Sequence, residues 1–202
     1  PPPATGRWMS STPFSPAGSK PVPVADYPVT ILDSVAQGKL NMAIIHPTPK
    51  EIEVRQMLTM LYGSKLTVST GEALATDADC GYAAAVFVSD DGTPVTACVC
   101  DMQFAAFAGA ALTRIPRGAA EDAVKSGKLS ENMQGNLKEV MNICSRLFMD
   151  DNSPHLKLDN LYESIGVLPD SARSLMDSVQ GRLDLIISIP DYGDGKLSFL
   201  ST

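Results

Sequence analysis

Glu139 and Asn142 are the residues of this chain whose types and spacing most favour chemistry. Side chains three positions apart leave the same face of a helix, so a carboxylate and a carboxamide would stand side by side. The carboxylate only accepts hydrogen bonds, whereas the amide both donates and accepts them and stays neutral. The sequence therefore offers an acid–amide pair to solvent or to a partner.

The segment 136–148, which contains this pair, has the periodicity of an amphipathic helix. Its apolar residues recur at offsets 0, 3, 4, 7, 10 and 11, as expected for one buried stripe. Glu139, Asn142 and Arg146 follow at offsets 0, 3 and 7 on a second, polar stripe. We therefore expect a long helix whose apolar side packs into a core. The apolar residues are Leu137, Val140, Met141, Cys144, Leu147 and Phe148.

Composition restricts the class of protein. The chain has 202 residues, 44% hydrophobic content and a net charge of -7. It has no apolar run of the ~18 residues that a membrane span needs. An acidic chain without a basic cluster argues against general binding to nucleic acid or to anionic membranes. We therefore expect a protein without membrane insertion and without a nucleic-acid partner.

The four cysteines do not follow the spacing of a zinc or redox motif. Cys98 and Cys100 are two apart in an apolar run, where a strand would direct both to one face. We expect them to be small core residues. Free cysteines, and the lack of a signal-peptide pattern, lead us to expect a cytoplasmic protein.

Residues 1–26 contain seven of the 15 prolines and do not show a periodic pattern. We expect a disordered proline-rich tail or a non-native extension there, and a single domain over 27–202. At the start of this domain a short helix at 31–37 and a strand at 41–45 are expected.

The domain consists of two similar halves. The first is a helix at 49–62, a strand at 66–69 and a hairpin around Asp91-Gly92. The second is a helix at 130–148, a strand at 155–159 and a hairpin around Asp194-Gly195. Duplication of this kind predicts an α+β fold in two layers, with a sheet of about six strands against the long helices.

The two halves differ where the acid–amide pair lies. Aligning 50–52 with 138–140 places Val54 opposite Asn142, so the first half lacks the amide. Thr48 and Glu51 fit a capping box at the start of the first helix, which gives Glu51 a structural role. One candidate site, Glu139 and Asn142, remains.

The chain resembles the CheC/CheX family of chemotaxis phosphatases, whose relatives include the middle domains of flagellar switch proteins. The resemblance rests on the pair Glu139/Asn142, the segments 61–68 and 104–112, and the closing hairpin with Asp194-Gly195. It extends from about residue 27 to the C-terminus. One pair instead of two makes the chain more similar to CheX than to CheC.

This resemblance implies dephosphorylation of the aspartyl phosphate on the receiver domain of a response regulator, in chemotaxis or another two-component pathway. Asn142 would position the attacking water, and Glu139 would dock to a lysine of the receiver. Mg²⁺ would be supplied by the phosphorylated partner, and the chain would need no cofactor or metal of its own. The resemblance to CheX also implies a homodimer joined through a sheet edge.

A non-catalytic adaptor of the same fold, binding a receiver domain or a flagellar-switch component, is the alternative. Gly135 favours it, because the family usually has Asp or Ser four residues before the glutamate. The substituted position Val54 favours it as well. His46 and His155 are far apart in sequence and are interpreted as surface or loop residues.

Overall fold

The computed structural model describes residues 46–76 and 83–202. The expected tail at 1–26, the helix at 31–37, the strand at 41–45 and Cys80 lie outside these residues. The α-helices are α1 Glu51–Tyr62, α2 Met102–Leu112, α3 Arg117–Ser126, α4 Glu131–Cys144 and α5 Asp170–Asp177. The strands are β1 Thr67–Thr70, β2 Ala83–Val88, β3 Pro94–Cys100, β4 Lys157–Tyr162, β5 Gly181–Ile189 and β6 Gly193–Ser201.

The six strands form one antiparallel sheet in the order β1–β5–β6–β3–β2–β4. Two hairpins, β2–β3 and β5–β6, meet at the centre, where Cys98 pairs with Phe199. Each half places its remaining strand beside the hairpin of the other half. The order is therefore symmetric about the β3–β6 pair, and the predicted duplication and α+β class are confirmed. The two edges, at which the expected dimer contact could form, are β1 and β4.

The first hairpin turns where the sequence predicted, and the second does not. Gly92 has a φ of 83°, which suits the tight turn after Asp90 and Asp91. In the second hairpin Asp194 and Gly195 lie inside β6, and the chain turns earlier, around Asp191, whose φ is 68°. Gly195 is small for another reason: a Cβ there would lie 2.3 Å from the backbone nitrogen of Phe104.

Helices α1, α2, α3 and α4 cover one face of the sheet and form the main core with it. Alternate residues of a strand point to opposite faces, so Ala85 faces this core and Ala84 faces away. A second, smaller apolar cluster covers part of that opposite face and includes Leu175 of α5. The two-layer arrangement is thus extended by α5 on the far side of the sheet.

The start of α1 differs in detail from its prediction. The N-cap is Lys50, whose backbone N–H donates to the Glu53 carboxylate at 3.0 Å. Thr48 does not cap the helix; its hydroxyl is 2.6 Å from that of Ser201. The predicted capping-box role of Glu51 is wrong, because Glu53 occupies that position and Glu51 pairs with Arg55 one turn on instead.

Within the described ranges, none of the helices is both long enough and apolar enough to cross a membrane.

Candidate functional site

Helix α4 carries the acid–amide pair, and its apolar side is buried as the periodicity predicted. Ser130 caps the helix through its hydroxyl, which accepts from the backbone N–H of Met133 at 3.4 Å. The apolar stripe fills the core, since Leu137 and Val140 are fully buried. Burial of this stripe orients the opposite face of α4 toward solvent.

Two contacts with α2 position α4 along its own axis. Gly109 lets the helices approach closely, because a Cβ there would lie 2.4 Å from the carbonyl oxygen of Met133. The side-chain amide of Asn136 donates to the Gly109 carbonyl and to the Thr113 hydroxyl, both at 2.7 Å. Asn136 was not predicted from the sequence, because its partners lie 27 and 23 residues away and leave no local pattern.

The C-terminal end of α4 is also anchored. The Ser145 hydroxyl donates to the carbonyl oxygen of Asn142 at 2.7 Å, where the chain tightens into a 3₁₀ helix over Ser145–Phe148. The Phe148 ring packs against Phe87 and Phe199, with ring centroids 5.7 Å apart in each case. Asn142 therefore lies in the last turn of a helix held at both ends.

His46 belongs to this anchor; it lies in a loop, one of the two expected alternatives, but not at the surface. It is 1% exposed, and its Nδ1–H donates to the carbonyl oxygen of Phe148 at 3.1 Å. A buried polar ring needs such a partner, and a carbonyl 102 residues away supplies it. His155 is exposed, as expected.

Glu139 and Asn142 are both exposed on the solvent face of α4. Among the residues that the structure describes, neither side chain has a hydrogen bond or an ion pair. Within that part of the chain, Asn142 forms hydrogen bonds only through its backbone. The carboxylate and the amide therefore stand together on an exposed helix face.

Gly135 lies within α4, one turn before Glu139 on the same exposed face. The helix begins at Glu131 and continues through the glycine. A Cβ at Gly135 would meet nothing within 4 Å, so the packing of this chain does not require a glycine there.

Two cations flank Asn142. Of these, only Arg146 was predicted from the sequence to lie on the polar stripe of the helix. Lys138 precedes it by four residues and Arg146 follows it by four, and both are exposed. The i−4 spacing within α4 places the Lys138 Cβ about 5–6 Å from that of Asn142, and Arg146 lies in the 3₁₀ helix that follows directly. That spacing was the signal by which Lys138 could have been found.

Helix α1 is the counterpart of α4 in the first half of the domain. Aligning the buried stripes of the two helices pairs Gln56 with Glu139 and Thr59 with Asn142. The stripes share one spacing: Val54, Met57 and Leu58 in α1, and Leu137, Val140 and Met141 in α4.

The prediction that Val54 stands opposite Asn142 is therefore wrong. Val54 is fully buried, whereas Asn142 is exposed, so the two do not occupy equivalent positions. The corrected counterpart, Gln56 and Thr59, is an amide and a hydroxyl without an acid. The first half still lacks an acid–amide pair.

The cysteines that the structure describes are core residues, which confirms the expectation for Cys98 and Cys100. Both are fully buried and free, as is Cys144. Burial raises the pKa of the Cys98 and Cys100 thiols well above the ordinary value. These thiols therefore remain protonated and act as small apolar groups.

In residues 46–76 and 83–202, no group of three or more His, Cys, Asp or Glu side chains could hold a metal ion.

Comparisons with known proteins identify the fold. Neither a protein-family profile nor a curated protein sequence matches the chain. A structure of the FliM–SpeE complex from H. pylori matches with a TM-score of 0.50 and 8% identity, over 75% of this chain and 82% of that one. The chain has the CheC/CheX-like fold.

Two further solved structures cover the same share of this chain, 75%, each with a TM-score of 0.45. The FliM middle domain from H. pylori is 11% identical and 86% covered. The CheX–CheY–BeF3–Mg+2 complex from Borrelia burgdorferi is 14% identical and 97% covered. The similarity to the FliM–SpeE structure confirms, at the level of the fold, the resemblance inferred from the sequence.

Proposed function

We propose that this CheC/CheX-like chain is a protein phosphatase that hydrolyses the aspartyl phosphate of a response-regulator receiver domain. One observation carries the proposal: Glu139 and Asn142 are exposed together on one face of a rigidly anchored helix. Neither side chain is bonded within the described part of the chain. A helix face built in this way can enter the phosphorylation site of another protein.

In the proposed reaction a water oxygen attacks phosphorus as the bond from phosphorus to the aspartyl oxygen breaks. The carboxylate leaves with the electron pair, and the water proton ends on inorganic phosphate or in solvent. Charge builds on the three equatorial oxygens in the transition state. Mg²⁺ held by the receiver would offset part of that charge.

Asn142 is suited to placing the water. Its side-chain oxygen accepts a hydrogen bond from the water, and its NH₂ group donates to a phosphoryl oxygen. The amide is neutral at all physiological pH values and so does not repel the phosphoryl group. A glutamine has this task in GTPases.

Glu139 is suited to docking instead of chemistry. A carboxylate beside a phosphoryl group would repel it, so this group must meet a cation of the partner. A charge-assisted hydrogen bond to the receiver's lysine would hold α4 in one register and place Asn142 at the phosphorus.

A non-catalytic adaptor is the second candidate. The similarity to the FliM–SpeE structure favours it, because that structure is a complex between two proteins. Gly135 favours it too, because the family usually has a polar residue at that position. An adaptor would bind a receiver domain or a flagellar-switch component through the same face of α4.

The test is the release of inorganic phosphate from a panel of receiver domains phosphorylated with a small phosphodonor. We expect Asn142→Ala to lower kcat by about 10²–10³-fold, the usual cost of removing one such polar group. Glu139→Ala should weaken receiver binding by about tenfold through loss of a charged contact. Asn132→Ala is the matched control, since Asn132 is an exposed amide of the same helix, about 15 Å away along its axis.

Equal phosphate release by the wild type and Asn142→Ala would end the enzymatic proposal. Binding that depends on Glu139, with no phosphate release above the receiver's own rate, would support the adaptor.

A further inference from the structure

We infer that Lys138 and Arg146 form the part of the site that binds the phosphoryl oxygens, one on each side of Asn142. This inference rests on the proposed function, and it adds that the group bound at this surface is an anion. It goes beyond the acid–amide pair, because neither cation belongs to that motif.

The first observation is their position. Lys138 and Arg146 lie four residues before and four residues after Asn142, and all three are exposed. Lys138 lies one turn before Asn142 on the same face of α4, and Arg146 follows in the 3₁₀ turn that continues the helix. An anion contacting the Asn142 amide therefore comes within reach of both flexible side chains.

The second observation is that both cations are available. In the described ranges, neither Lys138 nor Arg146 has an ion pair or a side-chain hydrogen bond. Glu139, adjacent to Lys138, points in another direction, since neighbours at i and i+1 do not face each other. It lies about 10 Å from Arg146 along the helix axis, too far for a direct pair.

The third observation is that the surroundings of Asn142 disfavour an anion unless positive charge lies close by. The chain as a whole carries a net charge of -7, which repels a phosphorylated partner. Asn142 also lies in the last turn of α4, where the helix has a partial negative charge. Two cations beside the amide offset both effects at the one place where phosphate would bind.

The two cations suit different tasks. Arg146 presents a planar fork that can donate two parallel hydrogen bonds to phosphoryl oxygens. Lys138 presents a compact charge on a flexible stem. In the hydrolysis described above they transfer no proton; they stabilise the charge that grows on the equatorial oxygens as the aspartyl carboxylate leaves.

A purely structural role for Arg146 is the competing explanation. A cation just beyond the end of a helix stabilises it through the helix dipole. Such a role would change thermal stability and leave kinetics alone. The experiment must therefore measure kinetics and stability on the same variants.

The experiment compares Lys138→Gln, Arg146→Gln and the double variant in phosphate release from a phosphorylated receiver. We expect the double variant to lose at least about tenfold in kcat/KM, as charged hydrogen bonds are lost. The KM of the wild type should rise more steeply with salt than that of the double variant. Arg146→Lys, which keeps the charge but not the fork, should retain intermediate activity.

The matched control removes the same charges elsewhere. Lys65 and Arg114 are exposed cations outside α4, so Lys65→Gln/Arg114→Gln has the same net charge as the test variant. Kinetics of the double variant within about twofold of this control would overturn the inference. So would a lowered Tm for Arg146→Gln with unchanged kinetics.

Failure of the proposed function is distinguishable from failure of this inference. A wild type that binds receivers but releases no phosphate would overturn the enzymatic proposal alone. The inference is then judged on binding of a beryllofluoride-loaded receiver: weaker binding by the double variant supports it, and equal binding overturns it. A wild type that neither binds nor hydrolyses overturns both.

Discussion

At the scale of single residues, Gly135 is the position where this chain departs most plainly from the family that it resembles. A glycine inside a helix costs roughly 1 kcal/mol relative to alanine, because its backbone is freer in the unfolded state. No atom lies within 4 Å of a Cβ built at Gly135, so close packing does not offset this cost.

Gly135→Ala should therefore stabilise the protein by about 1 kcal/mol, which raises Tm by about 2–4 °C in a chain of this size. Thermal unfolding followed by circular dichroism measures this. Gly118, also an exposed helical glycine with no atom near its Cβ position, is the matched control. It lies in the first turn of α3, so Gly118→Ala should gain less. A lower Tm for Gly135→Ala would show that the backbone there needs glycine.

At the scale of elements, the contact between α2 and α4 decides where the acid–amide pair stands. Gly109 permits the close approach, and Asn136 holds the register through two hydrogen bonds. Within the described residues, the Glu139 and Asn142 side chains make no hydrogen bond or ion pair of their own. Their placement thus depends on the residues that join α4 to α2.

Gly109→Ala should destabilise the protein by about 1–3 kcal/mol, because the added methyl would overlap the Met133 carbonyl and push the helices apart. Chemical denaturation measures the loss. The expected change in the free energy of unfolding is opposite in sign to that for Gly135→Ala, although both substitutions replace glycine with alanine. Unchanged stability would mean that the helices separate without cost, and the close approach would then not position α4.

At the scale of the whole molecule, the symmetric strand order gives α4 a counterpart in α1. The two helices bury equivalent stripes, so the outer face of α1, where Gln56 is exposed and Thr59 half-buried, is the counterpart of the α4 face with Glu139 and Asn142. Gln56 and Thr59 occupy the positions of Glu139 and Asn142 on it. The molecule therefore repeats the helix and its buried stripe, and carries the acid–amide pair on only one of the two copies.

This symmetry predicts that Gln56→Glu/Thr59→Asn will create a second site. In the Asn142→Ala background, the double substitution should recover about tenfold of the lost phosphate release, since orientation by the scaffold is retained. Gln56→Glu alone should recover nothing, because the amide is missing. The absence of any recovery, with the fold intact by circular dichroism, would contradict the equivalence of the two helix faces.

The sequence alone was sufficient for features that depend on near neighbours. The buried and exposed sides of α4 follow from its 3.6-residue period, because side chains within two turns decide which face is apolar. The turn at Gly92 follows from the backbone freedom of one residue. The duplicated halves, and with them the α+β class, were visible in the order of such local patterns.

The tertiary structure decided what depends on contacts between distant residues. Gly195 resembled a turn glycine in sequence, but it is small because Phe104 packs against it. His46 is buried because the carbonyl of Phe148 is available to it, and Val54 is core because α1 rotates its apolar stripe inward. The period of a short segment put Glu139 and Asn142 on the exposed side of α4, whereas the packing of α4 on α2 and the sheet decided where in the molecule that side lies. A local pattern specifies the faces of a helix, and only long-range packing specifies what each face meets.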